Sequence, residues 1–90
     1  MERELQVFFS GHVQGVGFRY YTFQIVAGYP VRGYVRNLPD GRVELVLQGE
    51  RKVLLEAMEA VRRRMERYIS SVEMSWREPG EILSGFEIRR

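Results

Sequence analysis

A glycine-punctuated stretch near the start of the chain contains the residue types that could carry chemistry. It runs Ser10-Gly11-His12-Val13-Gln14-Gly15-Val16-Gly17-Phe18-Arg19. Glycines let the backbone curl so that successive N–H groups point into one concavity, and a helix that follows adds the positive end of its dipole. Arg19, in the first helical turn, could bind two phosphate oxygens with its planar guanidinium. On spacing alone, a tight turn with a surface arginine is the commoner alternative to an anion site.

Other chemistries are restricted by motif and composition. No Walker A string GxxxxGK[ST] is present, and a GxGxxG fingerprint that starts at Gly15 would end on Tyr20. The chain has no cysteine, one histidine (His12) and one aspartate (Asp40). This scarcity excludes thiolate nucleophiles and cysteine-based zinc sites, and it leaves no aspartate cluster for Mg²⁺ or Ca²⁺. We therefore predict no metal site.

The length of 90 residues predicts a single domain over residues 1–90, because so short a chain cannot build two cores. No apolar run approaches the roughly 18 residues of a membrane helix, and the N-terminus is charged, so we expect a cytoplasmic protein. Net charge is only +2. The basic run Arg62-Arg63-Arg64 is interleaved with Glu59 and Glu66, which favours a solvated helix face over a nucleic-acid patch.

The hydrophobic periodicity predicts the order β-α-β-β-α-β with a short C-terminal strand. We expect strands over 5–10, 31–38, 42–48, around 72–76 and around 86–88, and helices over 18–27 and 50–68. Pro39-Asp40-Gly41 predicts the turn of a hairpin between the second and third strands. The order is typical of an α+β, ferredoxin-like split βαβ sandwich, in which an antiparallel sheet is backed by two helices.

Two segments of the chain combine several residues at fixed spacings. The first is Gly11-x-Val13-Gln14-Gly15-Val16-x-Phe18-Arg19, and the second is Gly33-Tyr34-Val35-Arg36-Asn37, followed by Gly41-x-Val43 and Gly49. Both segments resemble the signatures of the acylphosphatase family. The resemblance extends to Gly85-Phe86-x-Ile88-Arg89 near the end of the chain. Two spaced signatures of several residues each are far more specific than one glycine motif.

The resemblance implies an enzyme that hydrolyses the carboxyl–phosphate bond of acyl phosphates without a metal ion or organic cofactor. Backbone N–H groups of the loop would bind the phosphoryl oxygens, Arg19 would clamp them, and Asn37 would orient the attacking water. The substrate-binding residues would be Gly15, Val16, Gly17, Phe18 and Arg19. Inorganic phosphate would be product and inhibitor, and we expect a monomer without nucleic-acid or membrane partners. The chain departs from some members in having Leu38 after Asn37, where they carry a supporting hydroxyl residue.

Elementary chemistry agrees with this implied activity. A carboxylate leaving group is a weak base, with a conjugate-acid pKa of about 4, so its departure requires no general acid. Phosphoryl transfer depends mainly on positioning and charge stabilisation, which backbone N–H groups, one arginine and one asparagine can supply. No side chain is a convincing general base, so we expect the water's proton to pass to a phosphoryl oxygen.

Three alternatives share this topology. An RNA-binding module is suggested by the arginine content and by Arg32-Gly33-Tyr34, which is similar to the start of an RNP1 string. That motif belongs on the third strand, however, and Arg36 stands where an aromatic should stack. The others are a ligand-binding regulatory domain and a carbamoyl-phosphate-handling domain like that which opens large hydrogenase-maturation proteins. The last is disfavoured because no zinc-finger cysteines are present and nothing follows residue 90.

Overall fold

The computed structural model describes residues 2–90 and confirms the predicted order of elements. The elements are β1 (Glu2–Gly11), α1 (Phe18–Val26), β2 (Arg32–Asn37), β3 (Val43–Glu50), α2 (Arg51–Arg64), a 3₁₀ turn (Glu66–Tyr68), β4 (Ile69–Arg77) and β5 (Phe86–Arg89). The strands form one five-stranded sheet in the order β4-β1-β3-β2-β5, and both helices cover the same face. This is the predicted ferredoxin-like α+β sandwich.

The core lies between the sheet and the helices, where alternate strand residues meet the apolar stripe of each helix. In β1 and β3 the fully buried positions recur with a period of two, as the pleat of a strand requires: Leu5, Val7 and Phe9 in β1, and Val43, Leu45 and Leu47 in β3. The helices contribute Phe18 and Val26 from α1 and Leu54, Ala57 and Val61 from α2. Burial of these side chains packs both helices against the sheet and so fixes the two ends of the β1–α1 loop.

The expectation of a wholly antiparallel sheet needs one correction, because β5 pairs with β2 in parallel. The other pairs, β1 with β3, β1 with β4 and β2 with β3, are antiparallel. Strand β4 runs opposite to β2. It forms one edge of the sheet, and β5 forms the opposite edge, beside β2. A connection that crosses from the end of β4 to the far edge, without returning along the sheet, delivers β5 in the direction of β2.

That crossing segment, residues 78–85, is fastened to the outer face of the sheet by Gln48. The Gln48 Nε2 group donates to the carbonyl of Glu81 at 2.6 Å and to the Glu4 carboxylate at 2.7 Å. Its Oε1 atom accepts the backbone N–H of Leu83 at 2.9 Å. Both the nitrogen and the oxygen of this fully buried amide therefore bind the segment that leads into β5.

The end of α2 differs from the prediction. The helix was expected to reach Tyr68, but it ends at Arg64 and the 3₁₀ turn follows. Arg62 forms ion pairs with Glu59 and Glu66, at 2.8 Å and 3.3 Å, which confirms the solvated charged face. Within residues 2–90, no helix has the length and apolarity needed to span a membrane.

Candidate active site

The β1–α1 loop has the backbone conformation that an anion site needs. Gly15 and Gly17 both have φ of 81°, in the left-handed region that favours glycine. A Cβ at Gly15 would meet open space, so conformation rather than crowding requires glycine there. Gly17 is the N-cap of α1, it makes no side-chain capping bond, and the first turn holds no acidic residue. The first N–H groups of the helix therefore remain open to an anion.

A cleft of about 230 Å³ opens at this loop and brings the predicted site residues together. It is lined by Val13, Gly15, Gly17, Phe18, Arg19, Tyr20, Asn37, Ile88 and Arg90. Arg19 comes from the first turn of α1 and Asn37 from the last position of β2. Val16 does not line the cleft, because its side chain packs against the hydrophobic core. Its contribution to anion binding can only be its backbone N–H.

One hydrogen bond orients the Arg19 guanidinium, and its positive charge remains available to an anion. Its Nη1 atom donates to the backbone carbonyl of Arg89 in β5, at 3.4 Å. Among the ion pairs formed within residues 2–90, none includes Arg19. By contrast, Arg36 points to the outer face of the sheet, where the buried Glu44 carboxylate binds it at 2.6 Å. That hydrogen bond and the charge of Glu44 raise the pKa of Arg36.

The Asn37 side chain makes no hydrogen bond to other groups of residues 2–90. The neighbouring turn is braced by other groups. Leu38 N–H donates to the Arg42 carbonyl at 2.8 Å, and Arg42 N–H donates to the Asp40 carboxylate at 3.1 Å. The Asn37 amide is therefore free to face the cleft that it lines.

Gln14, a residue for which the sequence indicated no role, connects the two halves of the site. Its Nε2 group donates to the carbonyls of Leu38, at 2.9 Å, and Arg42, at 3.0 Å. These carbonyls flank the turn that follows Asn37. One amide thus ties the glycine loop to the strand end that carries the asparagine. The only local indication of this role was the presence of a glutamine within a glycine loop, since its hydrogen-bond partners are 24 and 28 residues away in the sequence.

We expect Gln14→Leu to lower kcat/KM by about 10- to 100-fold, because a displacement of the loop relative to Asn37 misplaces the reacting groups. Gln6→Leu is the matched control, since Gln6 donates to Glu44 at 2.7 Å on the outer face, away from the cleft. Both variants lose hydrogen bonds and should lose about 1–3 kcal/mol of stability. Steady-state kinetics and thermal melts of the two variants separate the effects; a Gln14→Leu enzyme with normal kcat/KM would remove this positioning role.

His12 is exposed and does not line the cleft. In the part of the chain that the structure describes, no three His, Cys, Asp or Glu residues are grouped so that they could hold a metal ion.

Comparison with known proteins shows the family of the chain. The acylphosphatase family model matches residues 5–88. An acylphosphatase of Trichormus variabilis is 41% identical over 87 residues, which are 96% of this chain and 85% of the relative. The crystal structure of acylphosphatase from Bacillus subtilis superposes with a TM-score of 0.86 at 27% identity, covering 98% and 99% of the two chains. The structure of T. kodakarensis HypF matches the whole chain with a TM-score of 0.79 at 25% identity, over 12% of that larger protein. With the family model matching nearly its full length, the chain belongs to the acylphosphatase family.

Proposed function

We propose that this protein is an acylphosphatase, which hydrolyses an acyl phosphate to a carboxylate and inorganic phosphate. The observation that carries the proposal is the convergence of a glycine loop, the start of α1, Arg19 and Asn37 on one cleft. The loop and Arg19 supply positive potential for a phosphoryl group, and Asn37 supplies an amide beside it. Family membership of residues 5–88 supports the same activity.

In the proposed complex, the phosphoryl oxygens accept hydrogen bonds from backbone N–H groups of Gly15–Phe18 and from the Arg19 guanidinium. Loop N–H groups are fixed before the substrate binds, so they stabilise developing charge without reorganising. The contact from Arg19 to the Arg89 carbonyl orients the guanidinium toward the cleft. Inorganic phosphate carries the same recognised group, so it should bind competitively.

Asn37 holds a water molecule opposite the carboxylate leaving group. As the water oxygen forms its bond to phosphorus, the bond from phosphorus to the carboxylate oxygen breaks, and the electron pair leaves with the carboxylate. The water's proton passes to a phosphoryl oxygen. No general acid from the protein is needed, because the leaving group is a weak base, and no general base is needed, because the phosphoryl oxygen accepts the proton. Gln14 keeps the water site and the phosphate site at a fixed separation.

We further propose that residues 1–90 act as one domain, a cytoplasmic monomer that uses no metal ion or cofactor and binds neither nucleic acid nor membranes. Against RNA stacking, the Tyr34 ring on the outer sheet face lies under the Arg89 guanidinium at 3.9 Å. The Phe8 ring on that face lies under Arg42 at 4.3 Å. Bases could stack there only by displacing these arginines.

Phosphate release from benzoyl phosphate, measured with and without EDTA, tests both the activity and the independence from metals. We expect turnover that changes less than about 2-fold with the chelator, because the loop, the helix terminus and Arg19 supply the charge stabilisation. Arg19→Ala protein, purified in the same way, controls for a contaminating phosphatase. Absence of release would overturn the activity, and loss with EDTA that Mg²⁺ or Zn²⁺ restores would overturn the metal-free mechanism.

A further inference from the structure

Four apolar side chains of α1 and β5 form a partly exposed strip on the helix side of the sheet. Tyr20 and Phe23 are three residues apart, so they share one face of α1. Phe86 and Ile88 are two apart on β5, so they share one face of that strand. The Phe23 and Phe86 rings contact each other with centroids 6.2 Å apart. Tyr20, Phe23 and Ile88 remain 56%, 40% and 38% exposed.

The apolar strip is continuous with the phosphate cleft. Tyr20 and Ile88 line the same cleft as Arg19 and Asn37. The Tyr20 hydroxyl accepts a hydrogen bond from Gln24 Nε2 at 2.9 Å, which fixes the ring along the helix. A rigid aromatic face and a branched aliphatic side chain therefore stand beside the position of the phosphoryl group. Large apolar side chains exposed at a binding cleft favour an apolar ligand group.

We propose that the apolar strip binds the acyl group of the substrate, so that the enzyme prefers aromatic or branched apolar acyl phosphates to small or anionic ones. This inference rests on the proposed function, because it presupposes that the phosphoryl group lies in the Gly15–Arg19 loop. An acyl group seated between Tyr20 and Ile88 removes apolar surface of both partners from water. An acetyl group is too small to cover the strip.

An anionic acyl group is disfavoured on the same grounds. Its carboxylate would lie against apolar side chains and would lose part of its hydration. Within the cleft, Arg19 is committed to the phosphoryl group, and Arg90 is the other arginine among the lining residues. A preference for anionic substrates would therefore require the attraction of Arg90 for the carboxylate to exceed the desolvation cost at the apolar strip.

The test compares kcat/KM for benzoyl, acetyl and succinyl phosphate, all of which lose a carboxylate leaving group. We expect benzoyl phosphate to exceed each of the other two by about 10- to 100-fold, the discrimination that an apolar contact surface can supply. Equal values, or a higher value for succinyl phosphate, would overturn the inference. No release from any of the three would instead overturn the proposed function, so the two failures are distinguishable.

Variants locate the preference in the strip. Tyr20→Ala should lower the benzoyl-to-acetyl ratio of kcat/KM by about 10-fold, because it removes the aromatic contact. Tyr20 is more than half exposed, so this variant should fold. Ile88→Ala should lower the ratio less, since its side chain is smaller. Ile82→Ala is the matched control, because Ile82 is 68% exposed and does not line the cleft. A ratio that survives both cleft substitutions, or falls equally with Ile82→Ala, would overturn the assignment.

Discussion

Replacing Asn37 with alanine should lower kcat by about 10²–10⁴-fold, which corresponds to about 3–5 kcal/mol of transition-state stabilisation. The physical reason is that the amide holds the water in line with phosphorus. A water molecule without that contact reaches the in-line position far less often, so it attacks more slowly. Affinity for inorganic phosphate should change little, because the loop and Arg19 bind that group. The competitive inhibition constant of phosphate therefore reports whether the anion site survives the substitution.

The alternative role for Asn37 is a brace for the turn after β2. The hydrogen bonds of the turn argue against it, since they come from backbone groups, from Asp40 and from Gln14. The Arg42 backbone N–H and the Arg42 guanidinium bind the Asp40 carboxylate and lower its pKa. Asp40→Ala is thus the matched control: it should lower the melting temperature and leave kcat within a few-fold of the parent.

Kinetics and melting curves of Asn37→Ala and Asp40→Ala together distinguish the two roles. A turn brace at Asn37 would cost about 1–2 kcal/mol of stability while kcat at low temperature stayed within a few-fold. An active but destabilised Asn37→Ala protein would remove the asparagine from the mechanism.

Arg19→Lys should be nearly as damaging as Arg19→Ala, with kcat/KM reduced by about 10³-fold or more in both variants. The guanidinium can donate to the Arg89 carbonyl and to phosphoryl oxygens at once, because its donors form a planar fork. A lysine ammonium is a compact point charge on a flexible stem and cannot reproduce that geometry. Charge alone is therefore expected to be insufficient.

The measurement is kcat/KM for benzoyl phosphate in both variants, with Arg63→Lys as the matched control. Arg63 has a side chain that is 77% exposed on α2, where it lies 3.8 Å from Glu59. Its substitution should leave kcat/KM unchanged, because surface ion pairs contribute little. Near-normal kcat/KM in Arg19→Lys would show that positive charge suffices and that two-pronged binding is not required.

The sequence alone predicted the order of elements, the glycine loop, the start of α1, and Arg19 and Asn37 as residues of one site. These features depend on local periodicity, on glycines at positive φ, and on two spaced signatures of the family that the comparisons confirm. Local periodicity did not predict the end of α2 correctly. Met65 is fully buried although the backbone has left the α-helix, so the apolar period continued past the true end at Arg64.

Only the tertiary structure decided how distant segments meet. The direction of β5 depends on the path of residues 78–85 across the sheet, which Gln48 fastens through contacts 33 and 35 residues along the chain. The partners of Gln14 likewise lie across the fold. The parallel pairing of β5 with β2 brings Ile88 to the cleft. Periodicity reports which face of an element is buried, but not which element covers it, because that choice is made by packing between segments far apart in sequence.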